Sequence, residues 1–304
     1  MSDHQNEHPD EQKLLEGDPE TTGHSWDGIR EFNNPLPRWW LWTFYACIVW
    51  GIGYTVLYPA WPLVNGATPG LLGFSTRANV AEDIERFDAM NADIRTRIAD
   101  VDLAAINPQD NPDLYNYAIQ GGASTFQTWC SQCHGSGAAG VQASGYPNLL
   151  DDDWLWGGTI DEIYHTVAHG IRNEDDMDAR YSEMTAFEGI LTDEEISAVV
   201  QYVRNISGQE HDAAQVELGG EVFYNNCGSC HMDDGTGDTF LGAPNLTDAI
   251  WLYGGSPDAI EHTVRYSRFG VMPPWSAEAS DAGRLSEAEV RAVSVYVHSL
   301  GGGQ

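Results

Sequence analysis

Two Cys-x-x-Cys-His motifs carry the reactive groups of this chain: Cys130-Ser131-Gln132-Cys133-His134 and Cys227-Gly228-Ser229-Cys230-His231. On a helical turn, thiols at i and i+3 can form thioethers with the two vinyl groups of one haem, and the adjoining imidazole then lies beneath the iron. The cofactor expectation is therefore two covalently bound c-type haems. Two other chemistries use the same residues: a redox dithiol, or a zinc site of four thiolates. Both pairs end in His and stand 97 positions apart, each inside its own similar segment, which favours haem. Cys47, the fifth cysteine, sits in an apolar run and reads as a small hydrophobe, so no disulfide framework is left over.

Beyond the proximal imidazoles of His134 and His231, each iron needs a sixth ligand, and a thioether there raises the reduction potential. In the second copy this is Met272, followed by Pro273-Pro274-Trp275, because Met232 adjoins His231 and cannot reach round the ring. In the first copy Met184 is favoured over Met177, which stands among Asp175, Asp176 and Asp178. Core filling is the plain alternative for either methionine. His165 and His262 fall at equivalent positions and raise bis-imidazole ligation as a rival; their place in a predicted helix well ahead of the methionines favours packing or a bond to a propionate. His169 is a weaker candidate. Pro147 and Pro244 offer backbone carbonyls to the imidazole Nδ1 protons. The pairs Gly157-Gly158 and Gly254-Gly255 fit tight turns, with close approach to the haem edge as the alternative. No residue is required as acid, base or nucleophile.

The elements that position these groups repeat. At an offset of 97, Phe126 matches Phe223, Pro147-Asn148-Leu149 matches Pro244-Asn245-Leu246, Trp154-Leu155-Trp156-Gly157-Gly158 matches Trp251-Leu252-Tyr253-Gly254-Gly255, and His165-Thr166-Val167 matches His262-Thr263-Val264. Each copy closes with a capping box and an amphipathic helix: Thr192 and Glu195 before Ile196, Val199, Val200 and Val203, and Ser286 and Glu289 before Val290, Val293, Tyr296 and Val297. The expectation is an all-α chain with two tandem class I cytochrome c domains, 115–208 and 209–304, each pairing its own first and last helices around its haem. Ahead of them, residues 77 to 103 show helical spacing at Ile84, Phe87, Met90, Ile94 and Ile98. Within a 62–114 linker this predicts a docking helix, since the stripe has no partner in its own segment.

Residues 39–61 read as a transmembrane helix, centred on the uncharged stretch from Trp39 to Tyr58, with Trp39, Trp40, Trp42, Tyr58 and Trp61 as interfacial belts. Its lateness, its length and the absence of a small-residue cleavage pattern argue against a signal peptide. Arg30 and Arg38 precede the span and Arg77 is the next cation, so the 1–38 tail is expected in the cytoplasm. This tail is expected to be disordered, with His4, His8 and His24 solvated. Attachment of c-type haem in the bacterial periplasm places everything after Tyr58 there, on a single-pass protein of the inner membrane. The net charge of −32, with Lys13 the only lysine, excludes nucleic acid as a partner and suits either a basic protein donor or adaptation to salt.

Together these residues resemble the dihaem subunit III of cbb3-type cytochrome c oxidases, the CcoP or FixP family. The resemblance begins at Asp27-Gly28-Ile29 and Asn34-Pro35-Leu36-Pro37-Arg38-Trp39-Trp40, and continues through His169-Gly170-Ile171-Arg172 and Gly270-Val271-Met272-Pro273-Pro274-Trp275. One departure is Met184-Thr185-Ala186-Phe187-Glu188, where the family usually has Met-Pro-Ala-Phe-Gly. The resemblance implies an electron-transfer subunit that takes electrons from a soluble or membrane-bound cytochrome c, assembled with a monohaem cytochrome c subunit and the haem-copper catalytic subunit that reduces O2. Rival readings are a free-standing anchored carrier and a dihaem peroxidase; the latter needs one iron left open, which a methionine in both copies argues against.

Overall fold

The computed structural model describes residues 16–27 and 29–303, so His4, His8 and Lys13 lie outside it. The chain divides into two compact units between Asp88 and Ala89.

In the first unit, β1 (Thr21–Trp26) and β2 (Ile29–Phe32) form an antiparallel hairpin that pairs Trp26 with Ile29. The expected disorder of the whole tail is thereby corrected: Asp-Gly between apolar residues is a strong hairpin signal, and Asp27 takes the positive φ of 50° that such turns demand. Helix α1 (Arg38–Leu57) has 20 residues, which at 1.5 Å each span about 30 Å. None of them is buried, and among the described residues it is the one helix long and apolar enough to cross a membrane. It stops at Leu57 instead of running on to 61, because Tyr58 precedes Pro59 and is driven to extended geometry. Leu71 and Leu72 N–H then return to the carbonyls of Val56 and Leu57 in its last turn. A second small hairpin joins β3 (Pro62–Leu63) to β4 (Gly66–Ala67). Among the described residues the fold is therefore helical with two short hairpins, both outside the repeats, and not all-α.

Helix α2 (Thr76–Asp100) follows. Its stripe divides: Val80, Ile84, Phe87 and Met90 are exposed, whereas Ile98 is fully buried in a core with Leu103, Ile106, Leu114 and Ala118. Arg291 Nη1 secures this junction by donating to the Val101 carbonyl at 2.6 Å.

The second unit holds both repeats. The first contributes α3 (Pro112–Thr125), the single turn α4 (Ser131–His134), α5 (Ile160–His169) and α6 (Asp193–Ile206). The second contributes α7 (Val216–Asn226), the single turn α8 (Gly228–His231), α9 (Pro257–Tyr266) and α10 (Glu287–His298). Capping boxes open α5, α6 and α10; that at Thr159 and Glu162 escaped the sequence reading.

First and last helices do pair, but across the repeats. Helix α10 packs on α3 and α5, and α6 packs on α7 and α9. One core joins Phe126, Ile163 and Val167 to Val290, Val293 and Val297; the other joins Val222, Phe223, Ile260 and Val264 to Ile196, Val199 and Val203. The segments 115–208 and 209–304 are thus repeats in sequence, while each packed core draws on both. After α5, Arg172 N–H bonds the Arg180 carbonyl and Arg180 N–H the Gly170 carbonyl, so the chain folds back on itself before α6 begins. The apolar faces of α6 and α10 are so alike that either could complete either core.

Backbone contact is close at both crossings. A Cβ on Gly122 would lie 2.2 Å from the Ala292 carbonyl oxygen, and one on Gly219 2.1 Å from that of Ala198, whereas Gly121 has only Tyr117 at 3.9 Å. Gly122→Ala should therefore destabilise the chain by about 1–3 kcal/mol, read as a lowered Tm, while Gly121→Ala is neutral or stabilising. Equal melting of the two variants would contradict the α3–α10 contact.

Candidate haem sites

Each Cys-x-x-Cys-His motif sits on a single helical turn continuing a helix that carries a buried Phe. In the first copy a π turn, Phe126–Cys130, leads into α4. Cys130, Cys133 and His134 line one open cavity. Its walls include Phe126, Ile163, Val167, Val293 and Val297, so the space is apolar where a porphyrin face would lie. His134 Nδ1 is 3.2 Å from the Pro147 carbonyl oxygen, and His231 Nδ1 is 3.1 Å from that of Pro244. A carbonyl only accepts, so Nδ1 carries the proton and Nε2 keeps its lone pair. Burial pulls both imidazoles below the usual histidine range, against the smaller upward pull of the carbonyl. Both rings are therefore neutral and competent as ligands.

The methionines are crossed relative to the sequence expectation. Met272 lines the cavity of His134, not a site shared with His231. Its loop is tied to α5: Met272 and Ile171 exchange main-chain bonds of 2.9 and 3.0 Å, and Trp275 N–H donates to the Val167 carbonyl at 3.1 Å. Met184 packs instead against the core that holds Cys227 and Phe223. Its loop is tied to α9 in the same way, with Phe187 N–H on the Val264 carbonyl at 3.0 Å and Ser267 Oγ donating to the Met184 carbonyl at 2.8 Å. Val167 and Val264 are equivalent in the repeat, so a loop that fits one fits the other. The missing proline after Met184 is offset by Arg265, which ion-pairs with Glu188, Asp193 and Glu261 at 2.8–2.9 Å and pins the loop, α6 and α9 together.

The remaining candidates lie elsewhere. Met177 is fully exposed, and Met232 is exposed beside His231 at a φ of 62°. His165 packs against His169 with tilted rings, centroids 4.6 Å apart, on the side of α5 opposite the cavity-lining Ile163 and Val167, and His169 Nδ1 is 2.9 Å from Asp176. His262 is exposed against Tyr266. This geometry leaves bis-imidazole ligation no support.

Sequence reasoning missed the wall between the sites. Trp156 seats on Gly242 and Tyr253 on Gly145, each so closely that a Cβ would fall 2.1–2.3 Å from the ring. Both pairs are equivalent at the offset of 97, so the repeat alignment held the signal. Arg172 and Arg180 lie over Trp156, 5.6 and 5.7 Å from its centroid, and Arg268 lies over Tyr253 at 4.7 Å.

Comparison with known proteins decides the family. The sequence model for cytochrome c oxidase, cbb3-type, subunit III matches residues 118–203 and 214–297, and that for the N-terminal domain of cytochrome oxidase-cbb3, FixP, matches 18–65. The chain belongs to the subunit III family of cbb3-type cytochrome c oxidases. It is 60% identical to the oxidase subunit CcoP of Cereibacter sphaeroides over 96% of this chain and 98% of that one. It is 53% identical to CcoP of Rhodobacter capsulatus over 94% and 96%, and 48% identical to FixP of Azorhizobium caulinodans over 95% and 95%.

The cytochrome c domains of the subunit III family imply haem c, and the residues fit it better than zinc. Cys130 and Cys227 belong to two separate cores, which rules out one four-cysteine site. Burial pushes both thiols up to about 11, through desolvation first and the neighbouring cysteine second. The Arg180 Nε beside Trp156 is a buried donor without a partner, as a haem carboxylate would call for.

Asp153 lines the same cavity. Desolvation, then repulsion from Asp248, Asp151 and Asp152, raises its carboxyl to about 6. It is protonated below that value and negative above it, and a negative charge favours oxidised iron. The midpoint potential of the first site should therefore fall as pH rises through about 6, and Asp153→Asn should flatten that slope. Redox titration over this pH range reads the effect; an unchanged slope in the variant would exclude Asp153 as its source.

Proposed function

We propose that this chain is the membrane-anchored dihaem subunit of a cbb3-type oxidase, taking electrons from a periplasmic cytochrome c and passing them to the haem-copper catalytic subunit that reduces O2. The reading rests on one observation above all: each Cys-x-x-Cys-His turn holds its imidazole on a proline carbonyl, and a methionine of the other repeat packs into the same core. Cys130 and Cys133 would attach one haem, whose iron His134 and Met272 would ligate. Cys227 and Cys230 would attach the other, with His231 and Met184 to ligate its iron. When bound, the two haems supply outer-sphere one-electron transfer at the raised potential that thioether ligation favours. The protein's part is to close both irons to outside ligands, to keep the ring faces dry and to hold the two sites in one unit.

Helix α1 anchors the chain in the inner membrane with its N-terminus in the cytoplasm. Arg30 and Arg38 ahead of the span, and the periplasmic attachment of c-type haem, support this orientation. The exposed stripe of Val80, Ile84 and Met90 on α2 suits docking to a neighbouring oxidase subunit, monohaem or catalytic. The acidic surface suits steering of a basic donor.

A native pull-down of the tagged chain from its own membranes, with haem staining and visible spectra, tests this reading. Two haems that survive acid-acetone extraction should co-purify with the catalytic and monohaem subunits. A chain that purifies alone with both haems is a free-standing carrier, contrary to the proposal. Ile84→Asp should cut co-purification several-fold without lowering haem content or Tm, because Ile84 supports no core; full recovery of the complex would remove α2 as the docking element.

A further inference from the structure

We propose that Arg172 is a positioning residue for both axial methionines at once: its guanidinium holds the main chain two residues ahead of Met184 and two residues ahead of Met272, so that ligation at the two irons is coupled. The inference rests on the ligation proposed above.

Arg172 Nε donates to the Ser182 carbonyl, and Nη1 donates to the Gly270 carbonyl at 3.1 Å. These carbonyls begin the two methionine loops, which belong to different repeats and serve different cores. The guanidinium is held in place by two rings, Trp156 and Phe269, each with its centroid 5.6 Å away. The main chain is fixed as firmly. Arg172 N–H bonds the Arg180 carbonyl at 2.8 Å, and Ile171 beside it exchanges both main-chain bonds with Met272. Arg172 has a φ of 51°, a left-handed conformation that a residue with a Cβ adopts only where its surroundings dictate it. Burial lowers its pKa, so carbonyl dipoles and ring faces stand in for lost water.

Position alone does not produce this clamp. Arg268 occupies the matching place over Tyr253, yet its Nε and Nη2 bond Thr263 Oγ1 and the Ala259 carbonyl within α9 and reach neither loop. The forked, planar guanidinium of Arg172 can donate in two directions at once. A lysine ammonium at the same place is a point donor on a flexible stem and cannot span both carbonyls with fixed geometry.

The full chain in its oxidase complex, as wild type, Arg172→Gln, Arg172→Lys and Arg268→Gln, tests the coupling. The readouts are the far-red absorption band of methionine-ligated ferric haem, the two midpoint potentials, and binding of added imidazole to the ferric protein. Met184→His and Met272→His backgrounds assign each signal to one site. Arg172→Gln should weaken the band and lower the potential at both sites, with imidazole binding at each tightened about tenfold or more, as loss of one bond from a charged donor implies. Arg172→Lys should move both sites part of the way, and Arg268→Gln neither. An effect of Arg172→Gln at one site alone, or at none, overturns the proposal. Should that variant not assemble, Arg172→Lys, which keeps a cation over Trp156, decides by the same two-site criterion. Absence of the band in the wild type would instead refute the ligation itself, and is seen before any variant is compared.

Discussion

The carbonyls of Val167 and Val264 lie in the last turns of α5 and α9, where the amide four residues on does not return to them. Left bare in an apolar core, each would cost about 1–3 kcal/mol. Trp275 N–H satisfies the first and Phe187 N–H the second, and each donor arrives from the other repeat, three residues beyond a methionine. One hydrogen bond thus does two things: it completes a helix end, and it sets a thioether into the core that holds the opposite Cys-x-x-Cys-His turn. The crossing of α6 and α10 follows from it, because each helix begins shortly after a loop already committed to the other side.

Neither repeat closes its own core as a result. The valines of α10 face Phe126 and those of α6 face Phe223, each across a glycine that lets the backbones meet. The reciprocal seats of Trp156 on Gly242 and Tyr253 on Gly145 add a second exchange at the wall between the sites. Two small cytochrome c domains that would each be marginal alone are in this way made into one cooperative body. For electron transfer, that fixes the separation of the two sites without relying on a flexible linker.

Much of this was legible in the residues. The Cys-x-x-Cys-His turns, the proline carbonyls, the buried Phe126 and Phe223 and the capped last helices all follow from local spacing, and all have the expected geometry. The crossing was not legible, for a physical reason: α6 and α10 carry the same capping box and the same valine periodicity, and Val167 and Val264 offer the same bare carbonyl. Local patterns in a duplicated chain name the type of partner but not the copy. The hairpin at Asp27 rests on a turn signal of only two residues, set in a tail whose charge and polarity point to disorder. The burial of Ile98 could not be seen from its own segment, because its partners Leu114 and Ala118 lie in the next helix and Ala292 near the end of the chain.

The most direct measurement leaves a single attached haem in the full chain by replacing Cys227 and Cys230 with alanine, then compares Met272→His with Met184→His. The crossed packing predicts that Met272→His alone gives the haem at Cys130 and Cys133 a bis-histidine spectrum and a lower midpoint potential. The same change produced by Met184→His, with Met272→His silent, would contradict it.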